Sequence, residues 1–154
     1  MYARGASRLP RTLSVGVTSA LAVALLLAAC STAAGSLTTS GAWARPGTAG
    51  GETAAYLVIN NPGSLADTLV SASSPAAASV GLHQTSKDSS GMVGMHPVAG
   101  IPIPAGGAAT LEPGGMHLML MGLTRNLTAG GSLDLDLVFK NAGTVRVKAD
   151  VRQP

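Results

Sequence analysis

The sequence predicts an all-β domain, an antiparallel barrel or sandwich of about seven to nine short strands. Three observations predict it. Apolar and polar residues alternate with period two over several stretches, as a half-buried strand requires and a helix does not. Gly (20) and Pro (9) cluster between those stretches, where turns are needed. Charged residues are only 11% of the 154-residue chain, too few for the exposed faces of a helical bundle. The 46% hydrophobic fraction and the small net charge exclude intrinsic disorder for the main body.

The N-terminus reads separately from the domain. Arg4, Arg8 and Arg11 form a positive head, and Leu21 to Ala29 (LAVALLLAA) is an apolar run of signal-peptide length, short for a membrane span. Residues 1–29 are therefore expected to be an export signal. The run ends in Leu27-Ala28-Ala29-Cys30, which resembles the bacterial lipobox, whose Cys becomes the lipidated first residue of the mature protein. The mature protein is then expected outside the cytoplasm, tethered to the bacterial membrane on its periplasmic or outer side. Cys30 is the only Cys, so no thiol remains for catalysis, a disulfide or a metal site. Of the ten Lys and Arg, three lie in the signal, leaving seven against seven Asp and Glu. A near-neutral body without a basic stripe is not a nucleic-acid binder.

Residues 30–42 (from Ser31, STAAGSLTTSGA) are small and uncharged and are expected to form a flexible tether, with the folded domain over 43–154. Ala54 to Asn60 (AAYLVIN) is the first strand, stopped by Asn61-Pro62-Gly63. Thr68 to Ser71, Val80 to Thr85, Ala108 to Leu111 and Met116 to Met121 follow as strands, several of them separated by Pro and Gly clusters. Ser132 to Lys140 places Leu133, Leu135, Leu137 and Phe139 on one face, with Asp134 and Asp136 on the other. Thr144 to Val151 repeats the alternation with Arg146 and Lys148 outward. Asn141-Ala142-Gly143 joins these two as a hairpin, so the acidic and basic rows can pair across it.

Methionine is distributed unevenly. Apart from the initiator, all five Met (92, 95, 116, 119, 121) fall within a thirty-residue window, and His83, His96 and His117 lie in or beside it. Core methionines should scatter. In Val80-Gly81-Leu82-His83, His83 faces away from the aliphatic side. In Met116 to Met121, Leu118 and Leu120 take one face, and His117, Met119 and Met121 take the other. His117 and Met119 are two residues apart on one strand, about 6–7 Å at the backbone, so both reach one ion. Met92 and Met95 sit in the loop GMVGM, which can fold a thioether over the same point. Imidazole with thioether is a soft, uncharged donor set that favours Cu(I) over Zn²⁺, Mg²⁺ or Ca²⁺. A blue-copper electron-transfer centre would also need a Cys thiolate. Against this stands the ordinary role of each residue type: a strand Met is usually core, and a strand His is usually solvated or hydrogen-bonded. Met116 has the core phase, and His96 beside Pro97 reads as surface.

The stretch from Gly81 to Leu123 resembles the periplasmic copper A chaperone (PCuAC) family. That family carries a His, a Met and a His-x-Met. Here His83 is followed after eleven residues by Met95, and after twenty-one more by His117-Leu118-Met119. The phrases AWAR (42–45), AAYLVIN (54–60) and SSPAAASV (73–80) also look like family positions. The first gap is one residue longer than the family's, in a Ser/Gly loop, and Gln84 stands where many members carry Glu. The longer gap leaves Met92 and Met95 both as candidate ligands, and the kept spacing to His117 favours Met95. The resemblance implies a cupredoxin-like or immunoglobulin-like antiparallel barrel or sandwich. It also implies one Cu(I) held near the surface by His83, Met95, His117 and Met119, with Met92, His96 and Met121 as further candidates. It implies delivery of copper to the copper A centre of cytochrome c oxidase, alone or with a thioredoxin-like partner chaperone. Metal-binding imidazoles must be neutral, so affinity is expected to fall in acid.

Two other functions fit the same sequence. One is copper sequestration or resistance through the same site. The other is a metal-free β-sandwich that binds a partner in the cell envelope. Catalysis is not expected: no nucleophile motif such as G-x-S-x-G occurs, and Asp134 and Asp136 form a solvated charged edge.

Overall fold

Period-two patterning becomes strands throughout the computed structural model, which describes residues 36–154. The strands are β1 (Thr38–Ala44), β2 (Glu52–Asn61), β3 (Asp67–Ser73), β4 (Ala77–Lys87), β5 (Val93–Pro97), β6 (Ile101–Ile103), β7 (Gly107–Leu111), β8 (Met116–Leu123), β9 (Ser132–Phe139) and β10 (Gly143–Val151). No helix occurs among the described residues. Residues 1–29, expected to be an export signal, and Cys30 lie outside the described residues.

Seven strands close on themselves in the order β4, β8, β2, β1, β10, β9, β3, and back to β4 through Ala72 and Val80. Neighbours are antiparallel except β1 and β10, which run parallel. The other three are appendages: β5 extends β4, β6 extends β3, and β7 pairs with the second half of β2. Closure removes most of the open sheet edge and leaves β5 at one margin.

The core lies where the alternation places it. Leu133, Leu135, Leu137 and Phe139 of β9 are buried with Val147, Ala149 and Val151 of β10. Across their outer faces Arg146 reaches Asp136 at 2.8 Å and Lys148 reaches Asp134 at 3.3 Å, pairing the charged rows in register.

Three strands have no counterpart in the sequence reading, and each has a physical reason. β1 (TTSGAWA) has almost no apolar alternation. Its ladders to β2 and β10 make it a strand, around a bulge between Ser40 and Trp43 where Gly41 takes φ 61°. Residues 38–42, expected to belong to the tether, are therefore part of β1, and Leu37 is already buried. β5 is exposed along its whole length, so nothing drives an alternation there. β6 (IPI) contains a Pro, which an outer strand tolerates, while Ile101 and Ile103 are buried.

Asp67, at the start of β3, is a buried carboxylate with a structural task. It accepts N–H bonds from Thr68 (2.7 Å), Asn141 (3.0 Å) and Ala142 (2.8 Å), clamping β3 to the β9–β10 turn. Burial pushes its pKa up, but the backbone donors outweigh that and hold it below the usual carboxylate value. A folded pKa below the unfolded one gives stabilisation that is complete above about pH 4 and is lost as pH falls through the folded value. Asp67→Asn is expected to lose about 1–3 kcal/mol at pH 7, and less near pH 3, by urea unfolding at both pH values.

Candidate metal centre

The centre is built on the outer face of β8, beside β4 and β5. Leu118 and Leu120 of β8 point inward and are fully buried, so His117, Met119 and Met121 are turned outward by alternation alone. β4 runs antiparallel next to it in a fixed register: His83 opposite His117, Gly81 opposite Met119, Ser79 opposite Met121. Residues directly opposite share a face. The two imidazoles accordingly lie side by side, ring centroids 5.9 Å apart. β5 flanks β4 with Met95 opposite Thr85, two residues along from His83, so Met95 arrives on the same face. Met95, His117 and Met119 line a cleft of about 430 Å³ together with Tyr56, Arg45 and Glu52.

His117 is the most informative residue. Its side chain faces outward yet is only 3% exposed. His83 flanks it on one side and Tyr56 of β2 on the other, at a centroid distance of 6.4 Å. The Nδ1 atom lies 3.2 Å from the Gly115 carbonyl oxygen. A carbonyl can only accept, so Nδ1 is assigned the proton and Nε2 carries a bare lone pair. That Nε2 is buried and has no hydrogen-bond partner. Leaving a buried acceptor unsatisfied is unfavourable, and buried polar atoms are ordinarily paired. An imidazole fixed through Nδ1 to a backbone carbonyl, with Nε2 free, is how metal-binding histidines are oriented.

The structure separates the remaining candidates. His96 is adjacent to Met95 on β5 and so faces the other way, where its Nε2 lies 2.6 Å from Ser86 Oγ. Met92 sits at the hairpin turn, its N–H donated to Asp88 Oδ1 at 2.9 Å. Both line a second depression and not the cleft. Asp88 also accepts from the Ser90 hydroxyl and backbone N–H. These bonds, the Ser90 hydroxyl's first, hold its carboxyl below the ordinary range. The longer Ser/Gly gap is therefore a capped turn placed before Met95, and it leaves Met95 in reach of His117. Met121 stays on the site's face, half-buried, beyond Met119.

Sequence reasoning missed the aromatic wall. Tyr56 packs against Trp43 with ring centroids 4.7 Å apart and planes tilted by 38°, Arg45 lies over the Tyr56 ring, and Arg152 lies over Trp43. AWAR and AAYLVIN were visible as phrases, but nothing local in them says that Tyr56 of β2, backed by Trp43 of β1, flanks an imidazole on β8.

Chemically, the face offers two imidazoles and three thioethers. Among the described residues, no group of three or more His, Cys, Asp or Glu side chains is placed to hold a metal ion. A cation bound here must accept sulfur, so the arrangement suits a soft, low-charge transition-metal ion.

A family model described as "Putative lipoprotein LpqE-like" matches residues 37–151. A protein of Leifsonia xyli subsp. xyli, described as "Putative lipoprotein Lxx21020", is 38% identical over 102 residues, 66% of this chain. The match spans 61% of that relative's length. Among solved structures, the copper-bound PCuAC domain from PmoF2 superposes with a TM-score of 0.65 at 25% identity, covering 79% of this chain and 97% of that domain. The apo PCuAC domain from PmoF1 gives 0.66 at 27% identity over the same shares. CuI-DR1885 of Deinococcus radiodurans gives 0.58 at 35% identity, covering 80% of this chain and 85% of that one. The fold is thus the all-β, cupredoxin-like fold of PCuAC domains.

Proposed function

Since the chain belongs to the LpqE-like lipoprotein family, we propose that it is an extracytoplasmic copper chaperone, held to the membrane through a lipid on Cys30. It binds one Cu(I) through His83, Met95, His117 and Met119. The observation that carries this reading is the buried, unpartnered Nε2 of His117 at a cleft that the thioethers of Met95 and Met119 also line. The likeness to copper-bound PCuAC domains supports it.

The geometry suits a carrier and not an enzyme. All four ligands are neutral, so Cu(I) is bound without strong electrostatic trapping. Met95 rides on the marginal strand β5 and is 59% exposed, which makes it the outermost ligand. An acceptor can replace it first and draw the ion out by stepwise ligand exchange. The proposed acceptor is the copper A centre of cytochrome c oxidase, reached directly or through a thioredoxin-like partner.

Competition against a Cu(I) chelator under reducing conditions tests the site. Wild type is expected to take up one Cu(I), Met95→Leu to bind at least about tenfold more weakly, and Met92→Leu to bind like wild type. Met92→Leu alone weakening the affinity would exchange the two methionines' roles. Incubating loaded protein with an apo copper A domain tests delivery: transfer supports the chaperone, and retention of the ion supports sequestration.

A further inference from the structure

The proposed ligand set leaves Met121 unused, yet the structure places it beside His83. Gly81 lies on the site's face, opposite Met119. The point its missing Cβ would occupy is 2.8 Å from His83 Nε2 and 3.5 Å from the Met121 methyl carbon. The imidazole is therefore folded over the bare Gly81 backbone, toward the Met119–Met121 side. His83 accordingly does not line the cleft that Met95 shares with His117. Met119 lies between the two regions, one strand repeat from His117 and one from Met121.

We propose that Met121 is a fifth donor of the centre, a thioether that binds Cu(I) together with His83 and Met119 when Met95 is away from the ion. This inference rests on the copper reading above and assigns its site a second ligand combination. Met95 comes from an exposed strand at the sheet margin, whereas Met121 is half-buried on a strand paired along both sides with β2 and β4. The two sulfurs thus differ in how freely they move. When an acceptor displaces Met95, the two imidazoles and the thioethers of Met119 and Met121 remain around the ion, a neutral soft set of the kind Cu(I) accepts. Gly81 makes this possible, because a side chain there would fill the space the His83 ring occupies. No electron or proton moves in the exchange: one Cu–S bond is traded for another.

The test uses protein labelled with ¹³C at the methionine methyl groups and titrated anaerobically with Cu(I). In Met95→Leu, the Met121 methyl resonance is expected to shift in step with that of Met119. Adding Met121→Leu to that background is expected to weaken Cu(I) binding at least about tenfold further. Leu conserves the volume of Met, so both variants keep the packing. A Met121 methyl that stays still while Met119 moves overturns the proposal and leaves the copper function standing. So does a double variant that binds like Met95→Leu alone. Wild type that takes up no Cu(I), with no methyl moving, overturns the functional reading and this inference with it.

Discussion

His117→Ala is expected to lower Cu(I) affinity by more than about a hundredfold, beyond the range that changes outside the ligand shell produce. The ring supplies the one donor held in place by a backbone carbonyl and covered from water, so neither solvent nor a neighbouring side chain can stand in for Nε2. Folding should survive. The side chain lies outside the barrel core, and its removal also takes away an unsatisfied buried nitrogen. Urea unfolding is expected to show a loss of about 1 kcal/mol, ordinary for a point substitution. Chelator competition and urea titration on one preparation read both effects, and retained wild-type affinity would remove His117 from the site.

Leu118→Ala, one residue along, is expected to do the reverse. Leu118 is fully buried among the core side chains, on a strand paired along both sides. Truncating such a Leu costs about 2–5 kcal/mol, through lost transfer free energy and the cavity left behind. Against a typical total of about 5–15 kcal/mol that is a large fraction, and the urea midpoint should fall accordingly. The folded protein should still bind Cu(I) like wild type, because the outward row of β8 is untouched. Adjacent substitutions with exchanged phenotypes follow from the two-faced strand. Equal copper loss in both would mean that β8 is not held as the structure has it.

How much of this was legible in the sequence depended on whether the cause was local. The faces of β8, β9 and β10 were legible because burial on one side of a strand imposes period two directly on the residues. The phase of His83 and His117 came with it. The strand state of β1 was not legible, because its small residues are held by partners far away in the chain. β5 hid for the opposite reason: it buries nothing, so no pattern marks it. In the Gly-rich loop only the spacing to His117 told Met95 from Met92. Their difference arises from the Asp88-capped turn and the pairing of Thr85 with Met95, which fix which side chain faces β8. The burial of His117 depends on Tyr56, sixty-one positions earlier. The role of Gly81 is visible only once His83 has a direction.

The placement of β1 has a mechanical side. It is paired with β2 from Thr38 to Ala44, and at Trp43 and Ala44 also with β10, the last strand of the barrel. For a protein held by its N-terminus, as proposed here, any pull from the anchor enters the fold at β1. Tension then loads the β2 ladder in shear, with the β10 pairs backing its far end, so rungs share the strain instead of opening one after another. The domain can be tugged against its moorings while the face proposed to carry copper, two strands further round, stays at rest.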